Sequence, residues 1–424
     1  MLNEFVRPKP NPTLIRFLVP VNNIMCLKGV PVLRDVPVLN RIPGIRGICN
    51  VRHIDFPQTE LDRLKAICGG DKIVFMAPNH PEFFTDWMLD KYVTSQACKM
   101  AANWATHGVV NGLGKMMQKF WLANNLIAQI PGNPGPSRAY SVEWAGKGHG
   151  VLLHPEGGVG WHCNFIAPLY PGALEMAREA LAENPAGEAF VAPLVWKLVF
   201  NGDVTDGLHK ECGYVEKKLR IARDGNGNDI ANRVFNLYEV LLKRDEEKWE
   251  LEVGETASFR DRQLALIKIL RGKLCDCIDD SYVPPEDELL LRGARRWMRE
   301  NKNDPQRKSC RDLVETIARH ESLDDYAFAN ETVTQEELAE HIKRVRRDYC
   351  KGSLKDTLNT FVPQAAGPRT AHIRIPEPFA LHGKNGKRVK LEDLRAAMQK
   401  TLDAINDEVE ARGGFIKFDN PFQA

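Results

Sequence analysis

Short apolar runs closed by turn residues recur in the first half of the chain: Ile73-Val-Phe-Met-Ala77, Gly150-Val-Leu-Leu153 and Phe190-Val-Ala-Pro-Leu-Val195. Runs of this length without polar alternation predict strands covered on both faces. Between them, Pro81 to about Thr106 and Gly172 to about Glu183 read as helices, the second with Leu174, Ala177, Arg178 and Leu181 at helical spacing. Strands alternating with helices predict an α/β sheet, with a ligand site beyond the carboxyl ends of its strands.

The pattern changes in the second half. Eight of the ten Met and six of the eight Trp fall within residues 1–200. Beyond them charge dominates, as in Lys243-Arg-Asp-Glu-Glu-Lys248 and the stretch from Arg292 to Arg311. The expected division is a sheet-bearing domain over 1–265, with its motifs at about 70–200, and a charged, mainly helical region over 266–424. Pro284-Pro285 and Gly367-Pro368 are expected breaks, and Gly383-Lys-Asn-Gly386 an expected turn.

Composition narrows the function classes. The chain has 424 residues, 43% hydrophobic and 27% charged, which is enough for a sizeable core and unlike a disordered chain. Its formal charge of +2 gives no support to non-specific nucleic-acid binding. The ten cysteines form no CxxC pair, and Met1-Leu-Asn-Glu-Phe-Val-Arg7 does not read as a secretory signal, so a reducing cytosolic setting is expected. Arg16, Asn22 and Asn23 interrupt the greasy stretch Leu14 to Leu27, so no spanning helix is expected.

Two segments carry chemistry. The first strand runs into Pro78-Asn-His-Pro-Glu-Phe-Phe-Thr-Asp86, which puts His80 and Asp86 where strand gives way to helix, with Pro81 suited to the first helical turn. An imidazole can accept a proton near neutral pH, and a carboxylate on its other nitrogen would fix its tautomer. The plainer alternative has His80 capping the helix and Asp86 bonding local backbone. The second strand leads into His154-Pro-Glu-Gly-Gly-Val-Gly160, whose glycines would let backbone N–H groups approach an anion, or would simply form a tight turn with Glu156 exposed.

In their order these segments resemble the glycerophosphate/lysophosphatidate acyltransferase family. Asn79, His80 and Asp86 resemble its Asn-His-x4-Asp block; Ile130 to Arg138 sits where its acceptor-contacting block lies; Pro155, Glu156 and Gly157 resemble its Pro-Glu-Gly block; Pro171-Gly-Ala173 and Val191-Ala-Pro193 resemble the segments that follow. Five residues separate His80 from Asp86 where the family has four, which makes Glu82 a rival partner. Gly158 and Val159 stand where the family has Thr-Arg, so Arg138 is the best substitute cation, with Lys147 and Lys197 behind it and His162 as a neutral donor.

The resemblance implies a central mixed sheet flanked by helices. It also implies an enzyme that moves a long acyl chain from acyl-CoA or acyl carrier protein to a hydroxyl of a lysophospholipid or glycerol phosphate, with a place in phospholipid biosynthesis. His80 would act as general base oriented by Asp86, and Asn79, Arg138, Glu156, Gly157 and Gly158 would bind substrate. Neither metal nor cofactor is implied, and oxyanion stabilisation would come from backbone N–H groups such as those near Gly157 and Gly158. Three alternatives stay open: a non-phosphorylated lipid hydroxyl as acceptor, a hydrolase, and a non-catalytic lipid-binding protein.

Other signals read as structural. His162-Cys163 is a poor thiol dyad because sequence neighbours seldom present side chains to each other. Asp224-Gly-Asn-Gly-Asn-Asp229 lacks the glycine and final glutamate of a calcium loop, Gly112-Leu-Gly-Lys115 lacks phosphate-loop spacing, and Cys275 and Cys277 lack a second ligand pair for zinc. Arg292 to Arg311, with eight basic and two acidic residues, reads as a solvated helix or as a contact for anionic lipid headgroups. With the apolar stretch Leu14 to Val21, it makes a peripheral position on the inner face of a membrane the expected location.

Overall fold

The computed structural model describes residues 4–98, 100–185, 187–223, 229–251, 257–284, 289–323, 325–359, 366–381 and 389–423. The chain divides into two compact units: Met1–Val204 with Thr357–Ile416, and Thr205–Asp356 with Lys417–Ala424. The expected boundary at 265 falls inside a continuous helix, Phe259–Cys277.

The first unit is built on a mixed eight-stranded sheet. Its strands are β1 (Val51–Asp55), β2 (Ile73–Pro78), β3 (Ala102–Thr106), β4 (Leu126–Gln129), β5 (Val151–Leu152), β6 (Ala189–Phe200), and, from the far end of the chain, β8 (Arg369–Arg374) and β9 (Phe379–Leu381). They lie in the order β1-β8-β6-β2-β5-β3-β4, with β9 also on β6. β2 pairs in parallel with β5 and β6, whereas β6 pairs antiparallel with β8 and β9. The sheet is mixed because these late strands close the β6 side.

Side-chain alternation along β2 explains why its run is apolar throughout. Ile73, Phe75 and Ala77 pack with helices Gly172–Glu183 and Leu391–Ala411, while Val74 and Met76 pack with helices Gln58–Ile67 and Phe83–Ala97. The expected helix Gly172–Glu183 has those bounds. The helix expected from Pro81 to Thr106 is shorter: it begins at Phe83, ends at Ala97, and gives way to β3. Trp104 and Thr106 favour a strand there, and β3 finds partners in β4 and β5.

Near the start of this unit, helix Pro12–Pro20 continues through Pro20 into π-helical turns over Val21–Lys28. Contrary to the expectation above, the stretch Pro12–Asp35 is long and apolar enough to cross a membrane by length and composition. Asn22 is nevertheless buried and donates through Nδ2 to the Met88 carbonyl at 3.0 Å, so the stretch lies against the Phe83–Ala97 helix.

The second unit is mainly helical, but it does not coincide with the region expected over 266–424: Thr357–Ile416 belongs to the first unit and supplies β8, β9 and the helix Leu391–Ala411. Helices Ile230–Lys248, Phe259–Cys277, Leu290–Glu300 and Arg307–Glu321 share a core that includes Leu242, Leu266, Leu270, Trp297, Leu313 and Phe422. The antiparallel pair β7 (Thr332–Thr334) and β10 (Lys417–Asp419) completes it. Of the loops singled out above, residues 224–228 and 383–386 lie outside the described residues. Asp229 caps the helix that begins at Ile230.

Candidate active site

β2 delivers Asn79 and His80 to the carboxyl end of the sheet, and its extension past Pro78 is held by side-chain chemistry. The Asn79 N–H donates to the Leu194 carbonyl at 3.0 Å; its amide then donates to Trp196 O at 2.9 Å and accepts from Trp196 N at 3.0 Å. Asn79 thus imitates a further pair of rungs on β6, and its burial makes it a support for His80 rather than a surface for substrate.

The loop Pro81–Glu82 turns the chain before the helix begins at Phe83, and this absorbs the extra residue between His80 and Asp86. Asp86, in the helix's first turn, lies 2.9 Å through Oδ2 from His80 Nδ1. Oδ2 also accepts from the Glu82 N–H at 2.8 Å, and Oδ1 accepts from Trp196 Nε1 at 3.2 Å. An ionised Asp86 satisfies all three donors, which places hydrogen on His80 Nδ1 and leaves the Nε2 lone pair for chemistry. Glu82, the rival, is engaged elsewhere. Its carboxylate is clamped by Arg369, from β8, and accepts from Thr85 Oγ1 at 2.9 Å.

Glu156 is also a support. Its Oε1 accepts from the His80 N–H at 2.7 Å and its Oε2 from the Ala167 N–H at 3.0 Å, so both oxygens tie loops to the dyad. Gly157 has φ of +74°, and a Cβ there would meet the Tyr170 ring at 2.6 Å; only glycine fits. Gly158 is exposed with open space beside it. These two positions form an accessible rim close in sequence to the dyad's anchor.

The expected cations are not free at this site. Arg138 donates to Glu175 at 2.7 Å and also pairs with Glu179, both on the Gly172–Glu183 helix. Lys147 pairs with Glu143 at 2.6 Å, and Lys197 is buried, its Nζ binding Cys163 O at 3.2 Å and Asn164 Oδ1. His162 packs against Phe165, with ring centroids 4.2 Å apart, and Cys163 is buried. Among the described residues, no cluster of three or more His, Cys, Asp or Glu side chains is arranged to hold a metal ion.

Sequence reasoning missed a second histidine–carboxylate pair. His154 stacks on His80 with ring centroids 3.9 Å apart and planes 15° from parallel. Its Nδ1 lies 3.0 Å from Asn79 O and its Nε2 3.1 Å from Asp90 Oδ2. Asp86 and Asp90 are one helical turn apart, so their shared face was readable from spacing. Which residues they meet was not.

Burial governs the electrostatics. It pushes His80 well below the ordinary histidine range, and the neighbouring charge of His154 adds to this. Burial pushes Asp86 up, opposed by the Glu82 and Trp196 N–H groups, and raises Glu156 against its two backbone donors. The assembly is a neutral imidazole with one nitrogen oriented and the other available, at the end of a parallel strand; the Gly157 N–H, expected as an oxyanion donor, is spent on the His154 carbonyl at 3.2 Å. Such a site can withdraw a proton from a bound hydroxyl or water. Compared with protein-family models and with curated proteins, the chain matches none.

Proposed function

We propose that the first unit is an acyltransferase that moves a long acyl chain from a thioester, on coenzyme A or acyl carrier protein, to the hydroxyl of a lipid-like acceptor. The observation that carries this reading is the His80 Nδ1–Asp86 Oδ2 contact at 2.9 Å, formed despite the lengthened spacing and held by Glu156 through the His80 N–H. His80 Nε2 takes the acceptor's proton as its oxygen attacks the thioester carbon. The C–S bond then breaks, and the proton returns from His80 to the departing thiolate. A resting His80 without charge suits this step.

The engagement of Arg138 by Glu175 and Glu179 favours a second reading within the same reaction class, an acceptor whose hydroxyl is not on a phosphorylated lipid. A membrane-resident substrate is supported by the N-terminal stretch. There Phe17, Ile24 and Met25 are exposed while Asn22 and Leu27 face inward, an arrangement suited to lying in a lipid interface.

Purified protein is incubated with long-chain acyl-CoA or acyl carrier protein and a panel of lysophospholipids, glycerol phosphate and neutral alcohols. Thiol release and lipid products are followed beside His80→Ala. Acceptor-dependent release, lost in the variant, supports the reading and names the acceptor. Release of free fatty acid alone replaces it with a hydrolase, and no release from either carrier replaces it with a binding protein.

A further inference from the structure

A phenylalanine would pack beneath His80 as well as a histidine does, so the hydrogen bonds of His154 need a reason. Its Nδ1 faces the Asn79 carbonyl, which only accepts, and so carries hydrogen. Its Nε2 faces the Asp90 carboxylate at 3.1 Å, and with Asp90 ionised that nitrogen must donate as well, which makes the ring cationic. The two imidazoles then lie face to face, one charged and one with a free nitrogen.

We propose that His154 is a positioning residue: its ring, held charged between the Asn79 carbonyl and the Asp90 carboxylate, lies flat against His80 and adds to burial in keeping that histidine neutral and ready to accept a proton. The proposal deepens the reading of His80 as a base and rests on it for its catalytic meaning. A like charge at stacking distance disfavours protonation of the upper ring. Asp86, which bonds its Nδ1, still stabilises the transient imidazolium. The proton is therefore held loosely enough to be handed on.

The other charged groups around the pair are accounted for. On the Phe83–Ala97 helix and its N-cap are Asp86, Asp90, Lys91 and Glu82, with Lys91 near enough to Asp90 to favour its ionised form; Glu156 follows β5 and feels Arg395 of the Leu391–Ala411 helix; Arg369 comes from β8. Arg369 is spent on Glu82 and Glu156 on two backbone N–H groups, which leaves His154 as the cation in contact with His80. Burial works against charge on His154, but Asp90, with Asn79 and Glu156, reverses that, so it holds its proton above the ordinary histidine range.

The test follows the ring-nitrogen signals of histidine-labelled protein through pH, with His80 assigned by its absence in His80→Ala. Asp90→Asn keeps a hydrogen-bonding partner while removing the charge pair, and His154→Gln removes the ring's charge by a second route. In both, the His80 midpoint is expected to rise by about 1 pH unit, and the acid limb of kcat/KM to rise with it. A shifted midpoint without thioester turnover would uphold this inference and remove the acyltransferase reading. Unchanged midpoints, within about 0.3 pH units of wild type on the same scale, would overturn it even if both variants were less stable, since a purely structural His154 predicts that result.

Discussion

Arg369→Met tests whether the C-terminal strand completes the site. Arg369 and Glu82 are both buried, and the guanidinium also donates to the Cys49 carbonyl at 2.9 Å. Removing the cation leaves Glu82 without its counter-charge within the loop that joins His80 to Asp86. Breaking a buried pair from one side costs about 3–5 kcal/mol. Cys49 is fully buried in the same pocket, so its labelling by a thiol reagent under native conditions reports local opening. At about 1.4 kcal/mol per decade, the labelling rate, normalised to that in urea, should rise roughly 150- to 5,000-fold. Adding Glu82→Gln should recover at least about a tenth of that loss of protection, because the uncompensated charge is gone while the amide can still accept from Thr85. A rise below about tenfold, or a double variant no better protected than the single, would refute the argument that this pair is a mutual compensation.

His80→Ala should lower acyl transfer by roughly 10²- to 10⁴-fold while its far-ultraviolet spectrum is retained; full activity would remove His80 as base. Because the neutral form of His80 is the active one and its pKa is pushed well below ordinary histidine, kcat/KM should stay on its plateau as pH falls through ~6.5 and decline only below it. Gly157→Ala should lower the thermal midpoint, since the left-handed conformation alone costs roughly 1–2 kcal/mol and the new methyl also meets Tyr170. Phe17→Asp with Met25→Asp should weaken flotation with anionic vesicles without moving the thermal midpoint, as both side chains are exposed. Cys68 and Cys98 are joined by a disulfide linking the ends of helices Gln58–Ile67 and Phe83–Ala97, which departs from the reducing setting that the cysteine spacing predicts.

Local signals in the sequence were sufficient where a short segment decides its own state. The apolar run Ile73–Ala77 predicts a doubly covered strand, and Gly172–Glu183 predicts a helix with one apolar face, because both patterns are set by neighbours a few residues away. His80 and Asp86 were legible for the same reason: both flank one strand-to-helix turn. What the sequence does not show is which distant segment comes alongside. β8 reaches β6 only after the second unit has been traversed, and its pairing depends on register and on faces already buried by other elements. Arg369 meets Glu82 through that pairing, and Glu156 meets the His80 N–H, across 287 and 76 residues of chain. His154 finds His80 because β5 and β2 are neighbours in the sheet, not because of any spacing between them. The sequence by itself determined the chemistry of the groups and their local geometry; the tertiary structure decided which of them are buried together, and burial sets whether a histidine is charged or neutral.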